Sequence, residues 1–216
     1  MKKKLEGIQS SIQSAFSYFI DCKVNMVVRN CFILVLLLLV IFLAFSCHGN
    51  HNDSVKNAID SNKQKIDTAV TMYKKEDAIF VVKAADAGKL EIQQSKVALE
   101  RATGTDVKKF AQEMIKDHTD MANALGAIAS SLKIIVPDSL SKDANDQLVH
   151  LQSVKDGAFD KAYMEIMVKD HEKAVSLFEE NSKKEINNSL NHFIATNLPV
   201  IQSHLTMAKT IRKNIR

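Results

Sequence analysis

Four ionisable residues stand alone on apolar helical stripes, one in each of four predicted helices: Glu91, His118, His171 and His204. At helical spacing Glu91 has Phe80, Ala84, Ala87 and Ala98 as neighbours, and His118 has Phe110, Ala111, Met114, Met121, Ala122 and Leu125. His171 sits between Met164, Met167, Val168 and Ala174, Val175, Phe178; His204 sits between Val200, Ile201 and Met207, Ala208, Ile211. Burying a charge costs several kcal/mol unless it is paired, hydrogen-bonded or bound to metal, so four such residues aimed at one core must satisfy one another or something between them. Three imidazoles and one carboxylate suit a single Zn²⁺ or another first-row divalent ion such as Fe or Cu. The competing expectation is a closed polar network that only specifies helix packing, with Tyr163 or a buried water completing it.

The pattern excludes a di-iron carboxylate centre, which needs Glu-x-x-His on two helices. The residues three before His118, His171 and His204 are Ile115, Val168 and Ile201. Asp117 and Asp170 each adjoin a histidine but lie about 100° round the helix, so they are expected to orient a neighbouring helix's imidazole rather than to bind the ion themselves. The methionines near the cluster read as core filler. His48, His51, His150 and His192 fall off the stripes and read as solvated.

The elements that must position these residues follow from the breaks between stripes. A first long helix is expected over Glu76–Ala102 and closes at Gly104; a second starts at Thr105 or Asp106 and runs to about Lys133, so the two are antiparallel neighbours. Pro137 and Ser139 interrupt the pattern, Ser141 caps a short helix to about Leu151, and a third long helix spans Ala158 to about Lys184. A polar turn at 183–188 leads to the fourth, which Pro199 is expected to kink. With a rise of ~1.5 Å per residue, Glu91 and His118 lie ~20 and ~21 Å from the turn near Gly104, and His171 and His204 ~24 and ~25 Å from the turn near Asn187. One layer can therefore hold all four.

Gly 6, Pro 2 and 6% aromatic residues in 216 favour helices over sheets. The formal charge of +4 is concentrated at the start: residues 1–46 hold five Lys/Arg against two acids, leaving 24 against 23 in the remainder. That near-neutral remainder has no basic stripe for nucleic acid. The run Cys31–Phe45 carries no charge and has the length of a signal-peptide apolar region, ending in Leu43-Ala44-Phe45-Ser46-Cys47. It resembles a bacterial lipoprotein signal, with Cys47 as the lipidated first residue, although the leucine stands one place further from the cysteine than such boxes favour. Met26 would give a 21-residue signal with Arg29 as its positive region, so the expected start is Met26, and Met1–Asn25 reads as upstream extension. No cysteine follows Cys47, which excludes a disulfide in the mature domain. The alternative is an uncleaved N-terminal anchor helix. The expected organisation is thus 1–46 extension and signal, 47–75 lipidated cysteine and polar tether, and 76–216 bundle.

The segments ADAGKLEIQQSKVALERA, VKKFAQEMIKDH, VPDSL, GAFDKAYMEIMVKDHEKAVSLFEE and NLPVIQSHLTMA together resemble the bacterial ferritin-like family labelled domain of unknown function 4142, often named predicted outer-membrane protein. The resemblance covers about Asp77–Lys209. It implies an all-α, ferritin-like antiparallel four-helix bundle, secreted or lipid-anchored, and no established reaction. There is no Gly-rich phosphate loop, nucleophile elbow or Cys-His pair in the mature chain, and a tightly packed bundle is expected to offer a substrate no mouth. Two functions remain: an envelope lipoprotein, facing the periplasm or on the outer membrane, that binds one divalent metal ion, and a structural or interaction lipoprotein without metal. An enzyme is the less favoured expectation.

Overall fold

A computed structural model of the chain describes residues 53–68, 72–184 and 186–215. The expected signal, Cys47 and the start at Met26 lie outside the described residues. Within them the structure is helical throughout: α1 (Ser54–Thr68), α2 (Lys75–Arg101), α3 (Thr105–Leu132), α4 (Lys142–Ser153), α5 (Asp156–Ser182) and α6 (Asn188–Asn214). No helix among them is long and apolar enough to cross a membrane.

The four long helices form the bundle. α2 pairs with α3 and α5 with α6, and the two hairpins face each other through α2 on α5 and α3 on α6. The bounds of α2, α3 and α5 fall within two residues of those read from the stripes, and Pro199 lies inside a continuous α6. Two aspartates tie the hairpins at opposite ends. Asp77, buried in the first turn of α2, accepts hydrogen bonds from the Lys74 N–H (2.7 Å) and, across the bundle, from the Asn187 N–H (2.9 Å) that begins α6. At the other end Asp160 of α5 accepts from the Gly104 N–H (2.7 Å) and the Thr103 N–H (3.1 Å) between α2 and α3. Each satisfies helix-terminal donors that have no partner within their own helix.

The bundle core is split in two, and a third, smaller cluster of Leu90, Ala144 and Leu148 seats α4. Phe80, Val81, Leu125, Phe178, Phe193 and Ile194 belong to one apolar cluster, and Phe110, Met114, Phe159, Tyr163, Met164 and Met167 to another. The divide passes through the histidines, for Met114 and Met121 fall in different clusters either side of His118, as do Met167 and Ala174 either side of His171 and Ala208 and Ile201 either side of His204.

The segment expected to be a tether is in part folded structure. α1 packs on α2. Ala58 and Asn62 are buried, and the Asn62 side chain donates to the Ile135 carbonyl and accepts from the Ile135 N–H, both at 2.8 Å. One buried amide thereby replaces two peptide hydrogen bonds of the α3–α4 link. Lys89 of α2 fixes the same link by donating to the Pro137 (2.9 Å) and Asp138 (2.7 Å) carbonyls, and Asp86 holds Ser141, whose hydroxyl caps α4. Lys133, which closes α3, is left-handed at φ 59°.

Candidate metal centre

The structure brings Glu91, His118, His171 and His204 to one layer, none of them more than 4% exposed. The three imidazole centroids form a nearly equilateral triangle with sides of 5.4, 5.6 and 5.6 Å, and a ligand atom from each ring lies within 4.8 Å of the others. Phe110 supports the triangle from the lower cluster, edge-on to His171 and His204 at 6.5 and 6.4 Å.

Each ring has one nitrogen held by an acceptor. His118 Nδ1 lies 3.1 Å from Glu91 Oε2, His171 Nδ1 lies 2.9 Å from the Met167 carbonyl, and His204 Nε2 lies 3.1 Å from Asp117 Oδ2. Carboxylates and carbonyls only accept, so the hydrogen of each neutral imidazole is drawn to that nitrogen and the lone pair is left on the other. Those others, His118 Nε2, His171 Nε2 and His204 Nδ1, are all buried without a protein partner. A buried polar atom left unpaired costs ~1–3 kcal/mol. Once His118 gives up the proton that Glu91 favours, the layer presents three lone pairs, each on a ring oriented from behind by an acceptor, which is what a transition-metal ion requires of its ligands and their supports. The cluster could hold a metal ion.

Not every expected residue takes its expected place. Glu91 is outside the group of three able to ligate together; its carboxylate lies against His118 Nδ1, with Oε1 3.5 Å from His171 Nδ1. From α2 its two oxygens meet the near nitrogens of two rings. Asp117 lies on a neighbouring helix's histidine, whereas Asp170 turns towards α4, accepting hydrogen bonds from Gln147 there and from Lys173 of its own helix. Tyr163 shares a 2.9 Å hydrogen bond with Ser95. Sequence reasoning passed over Ser95 and Gln94, both fully buried one turn beyond Glu91, with both amide atoms of Gln94 unpartnered. The spacing test that found Glu91 would have found them too. A second grouping, Glu113, Asp117 and His204, runs from the surface to the core.

The charges are unequal. Burial pushes the Glu91 carboxyl up, but His118, His171 and His204 outweigh it and hold it at about 2. Burial pushes His118 down and Glu91 more than offsets this, raising it above the ordinary value of 6.5. Burial lowers His171, and burial with the charges of His118 and His171 brings His204 down to about 4. The metal-free layer therefore holds a Glu91–His118 ion pair and two neutral rings.

His204 binds a proton in the unfolded chain below pH 6.5 but in the folded protein only near 4, so its contribution is whole above 6.5 and is lost as pH falls to 4. The loss amounts to roughly 3 kcal/mol. His118 is protonated in both states across that window and its contribution stays constant there. The urea midpoint of metal-free protein is expected to fall steadily from pH 6.5 to 4; a flat midpoint would contradict the neutral, buried state of His204.

The family model described as "Domain of unknown function (DUF4142)" matches residues 60–211, most of the chain. The chain belongs to this family. No curated protein matches it. The DUF4142 chain is similar to the "DUF305 fragment from Deinococcus radiodurans", with TM-score 0.60 and 9% identity over 66% of this chain and 99% of that one. It is also similar to "CopM in the Cu(II)-bound form", with TM-score 0.55 and 17% identity over 64% of this chain and 96% of that one. Such low identities show a shared helical fold and carry nothing further.

Proposed function

We propose that this DUF4142 protein binds one divalent first-row transition ion on His118, His171 and His204, with Glu91, the Met167 carbonyl and Asp117 orienting the three rings. The observation that carries this reading is the set of three buried, unpartnered ring nitrogens on imidazoles whose opposite nitrogens are all taken. Three protein ligands leave a fourth position open, as in zinc sites that exchange ligands, and the same donor set favours Cu(II) over Zn(II) in affinity. The similarly folded CopM, solved in a Cu(II)-bound form, agrees with that preference. Because the Glu91–His118 pair holds a proton that a metal must displace, binding should release protons and tighten as pH rises. The apolar run before Cys47 supports placing the protein in the bacterial envelope, on a lipid anchor or an N-terminal helix facing the periplasm.

The test is titration of untagged protein with Zn(II) and Cu(II), followed by elemental analysis after gel filtration. One ion is expected to remain per chain, the melting temperature to rise on loading, and chelator to reverse the rise. Protein that retains no ion and melts identically with and without chelator would favour the other reading, in which the polar layer only sets helix register.

A further inference from the structure

A cavity of about 480 Å³ lies along α2 and α3, within the range of small-molecule sites. Its lining on α2 runs from Ala84 to Lys96, ~18 Å at the helical rise, so the space is elongated. Ala122 and Gly126 of α3 border its exposed side, while Phe178, Phe193 and Ile201 form a buried floor. Phe178 packs edge-on against Phe80 at 5.3 Å, one turn before Ala84, so the aromatic end of the cavity lies away from Lys96.

Two glycines inside long helices need a reason, since glycine is costly there relative to alanine. Close packing does not supply one, because a Cβ added at Gly88 or at Gly126 would meet nothing within 4 Å. Both border this cavity, where a long side chain would take up the space. The charges of the lining are unevenly placed. Its one acid, Glu91, is buried and held against His118 at 3.1 Å. Lys89 is half-buried and donates to the Pro137 and Asp138 carbonyls. Lys96 is exposed at the far end of the α2 stretch, and Glu100, one turn beyond it, is outside the lining. An apolar interior is thus met by a positive charge at its rim.

We propose that this cavity binds a free, linear fatty acid, its hydrocarbon chain on Phe178, Phe193 and Ile201 and its carboxylate at Lys96. The chain suits the elongated apolar space, whose occupation removes hydrocarbon from water. One chain and one negative charge are what a fatty acid carries. A neutral alcohol would leave Lys96 to water, and a cationic head would meet it as a like charge. The inference goes beyond the metal reading and uses neither the ion nor its ligands.

It is tested by calorimetric titration of chelator-treated, full-length protein at low ionic strength with decanoate, 1-decanol and decyltrimethylammonium. One decanoate per chain is expected to bind saturably, decanol roughly two- to fivefold more weakly, as the loss of one exposed charge pair implies, and the cation more weakly still. Lys96→Gln should bring decanoate down to the level of decanol. Gly88→Leu should weaken decanoate by roughly tenfold or more while leaving the unfolding midpoint unchanged or raised, because leucine is the better helix former. Gly126→Leu repeats the test should Gly88→Leu unfold more easily. No saturable decanoate binding, the cation binding as tightly as decanoate, decanoate keeping its advantage in Lys96→Gln, or unchanged binding in a glycine variant that folds normally would each overturn the inference. Because metal is absent throughout, these outcomes are separate from failure to retain an ion.

Discussion

Replacing His171 with alanine is expected to abolish stoichiometric metal retention. His171 is the most deeply placed of the three imidazoles, at 0% exposure, and its free Nε2 has no protein group to turn to. Structural zinc sites gain roughly 10–16 kcal/mol from four ligands, or about 2.5–4 kcal/mol for each, so losing one ligand in three should weaken affinity by roughly 10²–10³-fold. The variant also opens a space beside Phe110, which should cost the metal-free protein about 2–3 kcal/mol without unfolding it. Competition against a chromogenic chelator measures the first effect and urea unfolding the second. His192→Ala, on an exposed ring off the cluster, is the control and should bind as the wild type does. A His171→Ala protein that keeps one tightly held ion would mean the ion sits elsewhere.

The second large effect is expected at Glu91. Removing one partner of a buried ion pair strands the other, at a cost of ~3–5 kcal/mol. In Glu91→Ala, His118 loses the carboxylate that raises its pKa and is left with burial, which lowers it. It then behaves as His204 does, and folding must exclude a proton that the unfolded chain binds below pH 6.5. The stability deficit against wild type should therefore widen as pH falls from 7.5 to 5. Glu91→Gln, which keeps an acceptor but no charge, should lie between the two. Urea midpoints at the two pH values measure this, and a deficit that shrinks on acidification would contradict the ion pair.

Much of this fold is legible in the sequence because the relevant signals are local. Gly104 followed by Thr105 and Asp106 marks a tight helix–helix turn, and equal distances from the two turns place Glu91 with His118 and His171 with His204. Stripe periodicity then aims them at one axis. What stays hidden depends on rotamers, volumes and single contacts. Whether Glu91 ligates or orients is set by which ring nitrogen its carboxylate meets. α1 shows only a sparse apolar stripe, Val55, Ile59 and Ile66, enough to suggest a partly helical tether but not its docking, which rests on Ala58 and the side chain of Asn62. The cavity escapes because periodicity counts apolar residues and is blind to the missing volume at Gly88 and Gly126. Asp170 has the same local motif as Asp117, but α4 supplies Gln147 and draws it away.

X-ray absorption at the zinc edge, on protein loaded with one equivalent of Zn(II), tests the central claim most directly. Three histidine nitrogens at ~2.0–2.1 Å, with the multiple-scattering signature of imidazole, are expected. An ion surrounded only by oxygen, or one whose spectrum is unchanged in His118→Ala and His204→Ala, would contradict a three-imidazole centre at the middle of the bundle.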